Sequence, residues 1–430
     1  MTDAGGRYRW RVPRLTGRPR HVPGALVRGG ALLAAVGALT LTTAPAPAVA
    51  LTQATLARTV SGALATSGAG SGAIVEDLTS RTVLYASRAD AARIPASNEK
   101  LFTTSTALLR FGPQARLVTS VLRSGPVDAG GRLDGDLVLR GAGDPTLSHA
   151  AIARLARAVR RAGVRHVTGA VVGDESRFDL RRGGPRTGWA QDSDVGGVLG
   201  ALTVDRGFAK GAGPGLAGAR DLAHALRSAG ITVTGRARTG VTPAGARSVT
   251  YARSPTMAQL IALTNVPSDN FYAETLLKDL GATFGAGGTT PAGVAVVAAE
   301  LRRMGIQPRI VDGSGLSRAD RTTPRQVVSL LDAMHSSTAA AAFEDSLAVA
   351  GRSGTLRRRM RGTRAAGACR GKTGTLDGVS ALSGLCTTAQ GHTLAFSMLM
   401  SHVGDWRAHE LQDRAVEAIA AYDGALATAP

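Results

Sequence analysis

Apolar positions along the chain switch between two periods, and the switches mark out its elements. Residues 52–66 read as a helix, and residues 72–87 as a strand pair, GAIVEDL and TVLYAS, around Thr79-Ser80-Arg81. A helix is predicted over 97–111, opened by Ser97 after Pro95-Ala96. From about residue 115 the texture changes. Short strands (LVTSVLR, GDLVLRG, VTGAVVGD) alternate with helices at 148–162 and 217–229, and the second helix runs into a strand, ITVTGRAR. Residues 181–215 are Gly-rich, hold few periodic signals and read as loops. Helical spacing resumes near 255 (PTMAQLIALTN, NFYAETLLKDLG) and recurs at 291–304 and 324–335. Three strands follow in succession, ACRGKTGTL, VSALSGLCTT and TLAFSMLMSHV, before a long helix at 406–422. The simplest architecture is one domain built from both ends of the chain, residues 51–112 and 254–430. A smaller α/β domain is inserted between them at 113–253.

The first fifty residues break this pattern. Residues 1–28 carry seven arginines against Asp3; residues 29–43 carry no charge, and Ala48-Val49-Ala50 is a small-x-small cleavage signature. The apolar run is short for a membrane span, so residues 1–50 read as an export signal, with an uncleaved anchor as the alternative. Its removal would lower the formal charge from +20 to +14. A basic chain commonly pairs with nucleic acid. Export favours an anionic wall polymer or membrane surface instead, with diffuse charge for solubility as the plain alternative. The chain is thus expected outside the cytoplasm, in the periplasm or cell wall. Two cysteines are too few for a disulfide scaffold, and eight histidines form no zinc-peptidase pattern, so no metal or cofactor is expected.

Export makes the cysteines informative. Asp377-Gly378 between strand-like runs suggests a two-residue hairpin loop. That register places Cys369 directly across from Cys386, where a cross-strand disulfide is feasible; two reduced core cysteines are the alternative.

Only four of the 51 basic residues are lysine: Lys100, Lys210, Lys278 and Lys372. Lysine differs from arginine in being able to lose its proton when buried. Ser97 and Lys100 stand three apart at a helix start, on one face. A serine is a poor nucleophile until a neighbouring base takes its proton, and a desolvated lysine can be that base. A helix cap followed by a surface lysine would look the same. Lys372-Thr373-Gly374 lies on a predicted strand, where the amine offers a fixed cation to a carboxylate and Gly374 lets a ligand backbone approach. Ser268-Asp269-Asn270 lies in the loop before the 270–281 helix; Ser268 and Asn270 can face one cleft, or the triplet can simply cap the helix.

Together and in this order, the three motifs are those of serine acyl-enzymes that react with penicillin. The chain resembles the D-alanyl-D-alanine carboxypeptidase/endopeptidases, the low-molecular-mass class C penicillin-binding proteins. The resemblance also rests on Pro95 through Lys100, Gly143-Asp144-Pro145-Thr146-Leu147, Ala273 through Lys278, Asp312 through Arg318, and Ser353-Gly354-Thr355-Leu356. It covers residues 55–420. The 171 residues from Ser97 to Ser268 leave room for an inserted domain, unlike the short gap of class A β-lactamases.

The resemblance implies a penicillin-binding transpeptidase-like fold, an antiparallel sheet flanked by helices. It implies Ser97 as nucleophile, Lys100 as its base, Ser268 and Lys372 as a proton relay, and Asn270 as a clamp on the substrate amide. Lys372, Thr373 and Thr375 would grip the terminal carboxylate, Gly374 would line the same strand, and the N–H groups of Ser97 and Thr375 would form the oxyanion hole. Asp174 would bind the free amine of a diaminopimelate side chain and Arg318 its carboxylate; a turn aspartate and a surface arginine are the alternatives. Lys278 reads as structural. The expected partners are peptidoglycan stem peptides, with β-lactams as covalent inhibitors. A serine β-lactamase, a catalytically idle wall-binding module and a nucleic-acid binder are the rival readings.

Overall fold

The computed structural model describes residues 52–65, 68, 70–208 and 212–424, which fall in one compact unit. The export signal expected over 1–50 lies outside the described residues.

The two ends of the chain build a six-stranded antiparallel sheet. Its strands are β1 (Gly72–Asp77), β2 (Thr82–Ser87), β11 (Ala348–Val349), β12 (Cys369–Leu376), β13 (Val379–Thr387) and β14 (Thr393–Ser401), in the order β11-β12-β13-β14-β1-β2. β13 and β14 are central and buried along almost their whole length. Successive side chains therefore meet different layers. Ala73 and Val75 face one core and Ile74 the other; Phe396 and Ala395 divide in the same way.

One layer is α1 (Gln53–Ala65) with α10 (Asp405–Ala420), whose Leu56, Val60, Leu411 and Ile419 share a core with Phe396 and Met398. The other layer is α2 (Glu99–Phe111), α5 (Met257–Asn265), α6 (Asn270–Phe284), α7 (Thr290–Arg303), α8 (Pro324–His335) and α9 (Ala340–Asp345). Phe102, Leu260, Leu276, Val297 and Leu331 fill its core.

The β12–β13 hairpin turns on Asp377-Gly378, with Gly378 at φ +66°, a left-handed value that glycine adopts without strain. Leu376 pairs with Val379, and the register runs back to Cys369 opposite Cys386, which form a disulfide. β11 pairs with β12 only at Arg370 and Gly371. The outer edge of β12 from Lys372 onward is thus free of a partner strand.

Residues 118–253 form two sheets of their own. Strands β3 (Val118–Arg123), β5 (Leu137–Arg140), β7 (Val171–Asp174), β9 (Arg238–Thr239) and β10 (Arg247–Arg253) are ordered β10-β3-β5-β7-β9; the short β4 (Arg132–Leu133), β6 (His166–Val167) and β8 (Thr232–Val233) make a parallel trio. Helices α3 (His149–Arg161) and α4 (Pro214–Ser228) connect the parallel strands and pack Ile152, Leu155, Leu222 and Leu226 against them.

Two expected strands are corrected here. VTGAVVGD and ITVTGRAR are not continuous: each splits between the two sheets, at Gly169 and Gly235. The reason is a stack of glycines. Gly169 N–H donates to Gly135 O at 3.0 Å and Gly235 N–H to Gly169 O at 2.9 Å, where the three chains cross together. A Cβ on Gly169 would stand 2.6 Å from Gly135 O, and one on Gly235 2.7 Å from the Gly169 carbonyl. α4 also starts earlier than expected, at Pro214, because proline fits the first turn of a helix.

Candidate active site

The site forms where the start of α2 meets the free edge of β12 and the loop before α6. Ser97 lies in a single 3₁₀ turn, Ala96–Asn98, that runs into α2. Two contacts fix this turn. Asn98 Nδ2 donates to Ser383 Oγ of β13 at 2.8 Å, and that hydroxyl donates to Ser397 Oγ at 2.9 Å. Ala96 holds a left-handed φ of +47°, a strained conformation for a residue with a side chain. β12 packs close: a Cβ at Gly374 would stand 2.8 Å from Pro95 O and 3.0 Å from Ser97 N. Only glycine allows this approach.

Lys100 lies one turn along the same face and is fully buried. Its Nζ donates to Ser97 Oγ at 3.0 Å, Asn270 Oδ1 at 2.5 Å and Ser314 O at 2.7 Å. Burial lowers its pKa from 10.5 to about 8, against the pull of Asp312, Glu274, Asp269 and Glu99. Lys372 is also fully buried. Its Nζ donates to Ser268 Oγ at 2.7 Å and Thr373 O at 2.8 Å. Burial first, then the Lys100 charge, hold it well below the usual lysine range. Ser97 and Ser268 are themselves only half-buried. Two hydroxyls thus face the cleft, each backed by a desolvated amine.

The Ser268 loop is held from both sides. Ser268 takes φ +65°. Asp269 caps α6 by accepting from Tyr272 N at 3.1 Å and pairs with Arg206. Asn270 Nδ2 donates to Asp194 O at 2.7 Å. Thr373 Oγ1 bonds Thr355 Oγ1 at 2.8 Å, which joins β12 to the Ser353–Leu356 segment. Thr375 is exposed beyond it on the same strand. Arg318 is exposed and anchored, with Nη1 and Nη2 donating to Asp377 O at 3.0 and 2.6 Å, at the hairpin end of β12.

Beneath the cleft lie four buried carboxyl groups: Glu99, Glu274, Asp312 and Asp320. Asp312 accepts from Gly315 N and Ser317 N, both at 2.7 Å, and Glu274 from Gly313 N and Ser314 N at 3.0 and 2.9 Å. These bonds shape the loop whose Ser314 carbonyl receives Lys100. Burial, then Asp312, raises Glu274 to about 7; burial, then Asp312 and Glu99, raises Asp320 to about 11.

No hydrogen bond of the Asp174 carboxylate reaches a residue of the cleft. Asp174 is buried at the end of β7, where its carboxylate accepts from Ser176 N at 2.9 Å, Thr242 N at 2.8 Å and Thr242 Oγ1. Burial opposes ionisation there, yet these bonds outweigh it and keep the group below the usual carboxylate range. Its burial and its three hydrogen bonds favour the alternative reading, a turn aspartate. Lys278 donates to Asp179 Oδ1 at 2.5 Å and Arg181 O at 2.9 Å, tying α6 to the 113–253 segment. Arg206 and Asp194 were invisible to sequence reasoning, since each reaches its partner from more than 60 positions away with no motif. Asp312 carried a signal: an aspartate followed by Gly, Ser and Gly is turn chemistry. Among the described residues no group of His, Cys, Asp and Glu is arranged to hold a metal ion.

A central antiparallel sheet, a helix that starts at a Ser–x–x–Lys turn and a Lys–Thr–Gly edge strand define a penicillin-binding or β-lactamase-like fold. Solved structures agree on the fold. Penicillin binding protein 4 from Haemophilus influenzae superposes with a TM-score of 0.72 at 21% identity, over 83% of this chain and 97% of that one. A predatory peptidoglycan endopeptidase from Bdellovibrio bacteriovorus gives 0.52 at 20% identity, over 77% and 85%. The family is settled by sequence comparison: the chain belongs to the D-Ala-D-Ala carboxypeptidase 3 (S13) family, whose model matches residues 52–211 and 207–422. It is 30% identical to a D-alanyl-D-alanine carboxypeptidase of Actinomadura sp., over 83% of this chain and 82% of that protein. It is 32% identical to the carboxypeptidase DacB of Mycolicibacterium smegmatis, over 72% of each.

Proposed function

We propose that the chain is an exported serine-type DD-peptidase that hydrolyses D-Ala-D-Ala ends of peptidoglycan stem peptides through an acyl-enzyme on Ser97. The observation that carries this reading is the Ser97–Lys100 contact: a hydroxyl 3.0 Å from a fully buried amine held at about 8. An amine titrating near the working pH is suited to take a proton and return it.

In the reaction, neutral Lys100 accepts the Ser97 proton as Oγ bonds to the carbonyl carbon between the two D-alanines. The N–H groups of Ser97 and Thr375 receive the developing oxyanion. The C–N bond then breaks, and the leaving amine takes a proton relayed through Ser268 and Lys372. Water attacks the acyl-serine, its proton passes back to the site, and Ser97 is restored. Asn270 orients the substrate amide. Thr373 and Thr375, with Lys372 in its protonated form, hold the terminal carboxylate. Gly374 keeps the strand edge low enough for an extended substrate backbone to lie along it. Arg318, at the hairpin end of that strand, is the group available to a carboxylate further along the substrate. The same open edge admits a D-configured cross-link, which would make the enzyme an endopeptidase as well. β-Lactams, which mimic the dipeptide, would acylate Ser97. We also propose residues 113–253 as the inserted domain, residues 51–112 with 254–430 as the peptidase domain, and 1–50 as the signal.

The test is intact-protein mass after incubation of residues 51–430 with benzylpenicillin, beside a Ser97→Ala control. A lasting single adduct, absent in the control, is the expected result. Rapid loss of penicillin with no adduct would turn the reading to a β-lactamase. Neither adduct nor turnover would leave a wall-binding module.

A further inference from the structure

Away from this site, one helix carries a row of arginines that pair with no carboxylate among the described residues. α3 bears Arg154, Arg157, Arg160 and Arg161 and no acidic residue. Elsewhere in the 118–253 region some arginines find carboxylates, Arg182 with Glu175, Arg186 with Asp192 and Arg238 with Asp136, while others such as Arg247 and Arg253 stand singly, outside any such row. Among the described residues no carboxylate pairs with any of the four on α3. The helix dipole favours Arg160 and Arg161 in the last turn, but not Arg154 or Arg157. Like charges three and four apart disfavour an isolated helix.

Three of these arginines, Arg157, Arg160 and Arg161, border a groove of about 840 Å³ between α3 and α4, lined also by Ile152, His224 and Ser228 among others. Asp221 also lines it, 3.4 Å from His149 Nδ1, at the opposite end of α3 from Arg160 and Arg161. Arg165 adds a further guanidinium beyond the helix, held on Arg160 O at 2.6 Å.

We propose that the α3–α4 groove is a docking site for a linear phosphodiester polymer, distinct from the peptidase cleft and independent of the reaction proposed for it. Three features select this occupant. Guanidinium forks match phosphate oxygens in pairs. Arginines one helical turn apart repeat at about 5–6 Å, which fits a chain charged at every unit better than a lone phosphate. No exposed large apolar side chain lines the groove, as membrane insertion would need, and no Phe, Tyr or Trp does, the rings that serve best for base stacking. An exported enzyme so equipped would be retained on a wall bearing such a polymer.

The experiment measures binding of poly(glycerol phosphate) to the protein across a salt series. The comparison is a groove variant, Arg157→Gln/Arg160→Gln/Arg161→Gln, and a charge-matched control, Arg58→Gln/Arg247→Gln/Arg253→Gln. Binding should weaken steeply with salt in the parent. The groove variant should bind about tenfold more weakly with a flatter salt dependence, while its thermal midpoint and benzylpenicillin acylation stay as in the parent. Equal loss in the control would mean diffuse charge and overturn the proposal, as would no polymer binding at all. Tighter binding to vesicles of one part phosphatidylglycerol to three parts phosphatidylcholine, weakened in the groove variant, would overturn it in favour of a membrane.

Discussion

The site contains two serine–lysine pairs, and they are not equivalent. Ser97 and Lys100 share one turn of chain, and Lys100 stands over Glu99, Glu274 and Asp312, whose negative potential limits the fall of its pKa to about 8. Ser268 and Lys372 come from elements 104 positions apart. Lys372 has no acid to support it; burial and the neighbouring Lys100 push it well down. The same two residue types thus yield one amine held at about 8 by neighbouring acids and one pushed down by burial and a neighbouring cation. The contacts match the proposed roles: the amine on Ser97 is the proposed base, and the amine on Ser268 the proposed relay.

The largest expected effect would break this assignment outright. Ser97→Ala should abolish acylation by benzylpenicillin, whereas Ser268→Ala should slow it and still give an adduct, since Ser97 is the proposed nucleophile. Losses for a nucleophile run to about 10⁴-fold or more. An adduct retained in Ser97→Ala and lost in Ser268→Ala would exchange the two pairs.

The pH dependence sharpens the same contrast. Only neutral Lys100 can accept the Ser97 proton. The acylation rate should therefore rise about tenfold per unit below pH 8 and level off above it, as Lys100 loses its proton near its value of about 8. Stopped-flow acylation between pH 6 and 10 checks this. A flat profile would remove Lys100 as the base. Lys100→Arg should be as inactive as Lys100→Ala, because a guanidinium keeps its proton.

How much of this was readable in the sequence follows from how local each feature is. The Ser97–Lys100 geometry is set by one helical turn. The β12–β13 register is set by Asp377-Gly378, so the Cys369–Cys386 pairing could be counted out along the chain. The crossing of three strands at Gly135, Gly169 and Gly235 was not readable, because a single glycine within an apolar run gives no sign of which backbone it will meet. Asp174 misled because a carboxylate in a turn looks the same whether it faces a cleft or its own backbone; Thr242, which claims it, lies 68 positions away.

A smaller effect tests how the 113–253 region supports the long-range pair. Arg206 pairs with Asp269 and lies over Phe271 and Tyr272, with its guanidinium carbon 5.4 and 5.2 Å from the ring centroids. Arg206→Ala should loosen the Ser268 loop and lower the acylation rate several-fold. Unfolding free energy should change by about 1 kcal/mol or less, as expected for a part-exposed pair. Denaturant unfolding beside acylation kinetics separates the two. Equal activity in the variant would show that the Asp269 cap alone fixes Ser268.

The smallest effect on chemistry is expected at Asp174. Its bonds to Ser176 and Thr242 lie within the 113–253 region, and none reaches the lysines. Asp174→Asn replaces an acceptor of three hydrogen bonds by an amide that must turn a donor toward one of those partners. The loss of a satisfied buried acceptor costs about 1–3 kcal/mol. The variant should unfold at lower denaturant, yet acylate at the parent rate and hydrolyse substrates with and without a free side-chain amine in the parent ratio. The cost should also depend on pH. The Asp174 pKa is lowered in the fold, so the ionised group stabilises above its unfolded value, and that contribution fades as pH falls through the folded one. Parent and variant should therefore converge in stability under acid. A change in substrate ratio at unchanged stability would instead return Asp174 to the substrate, and would require its strand end to open toward the cleft.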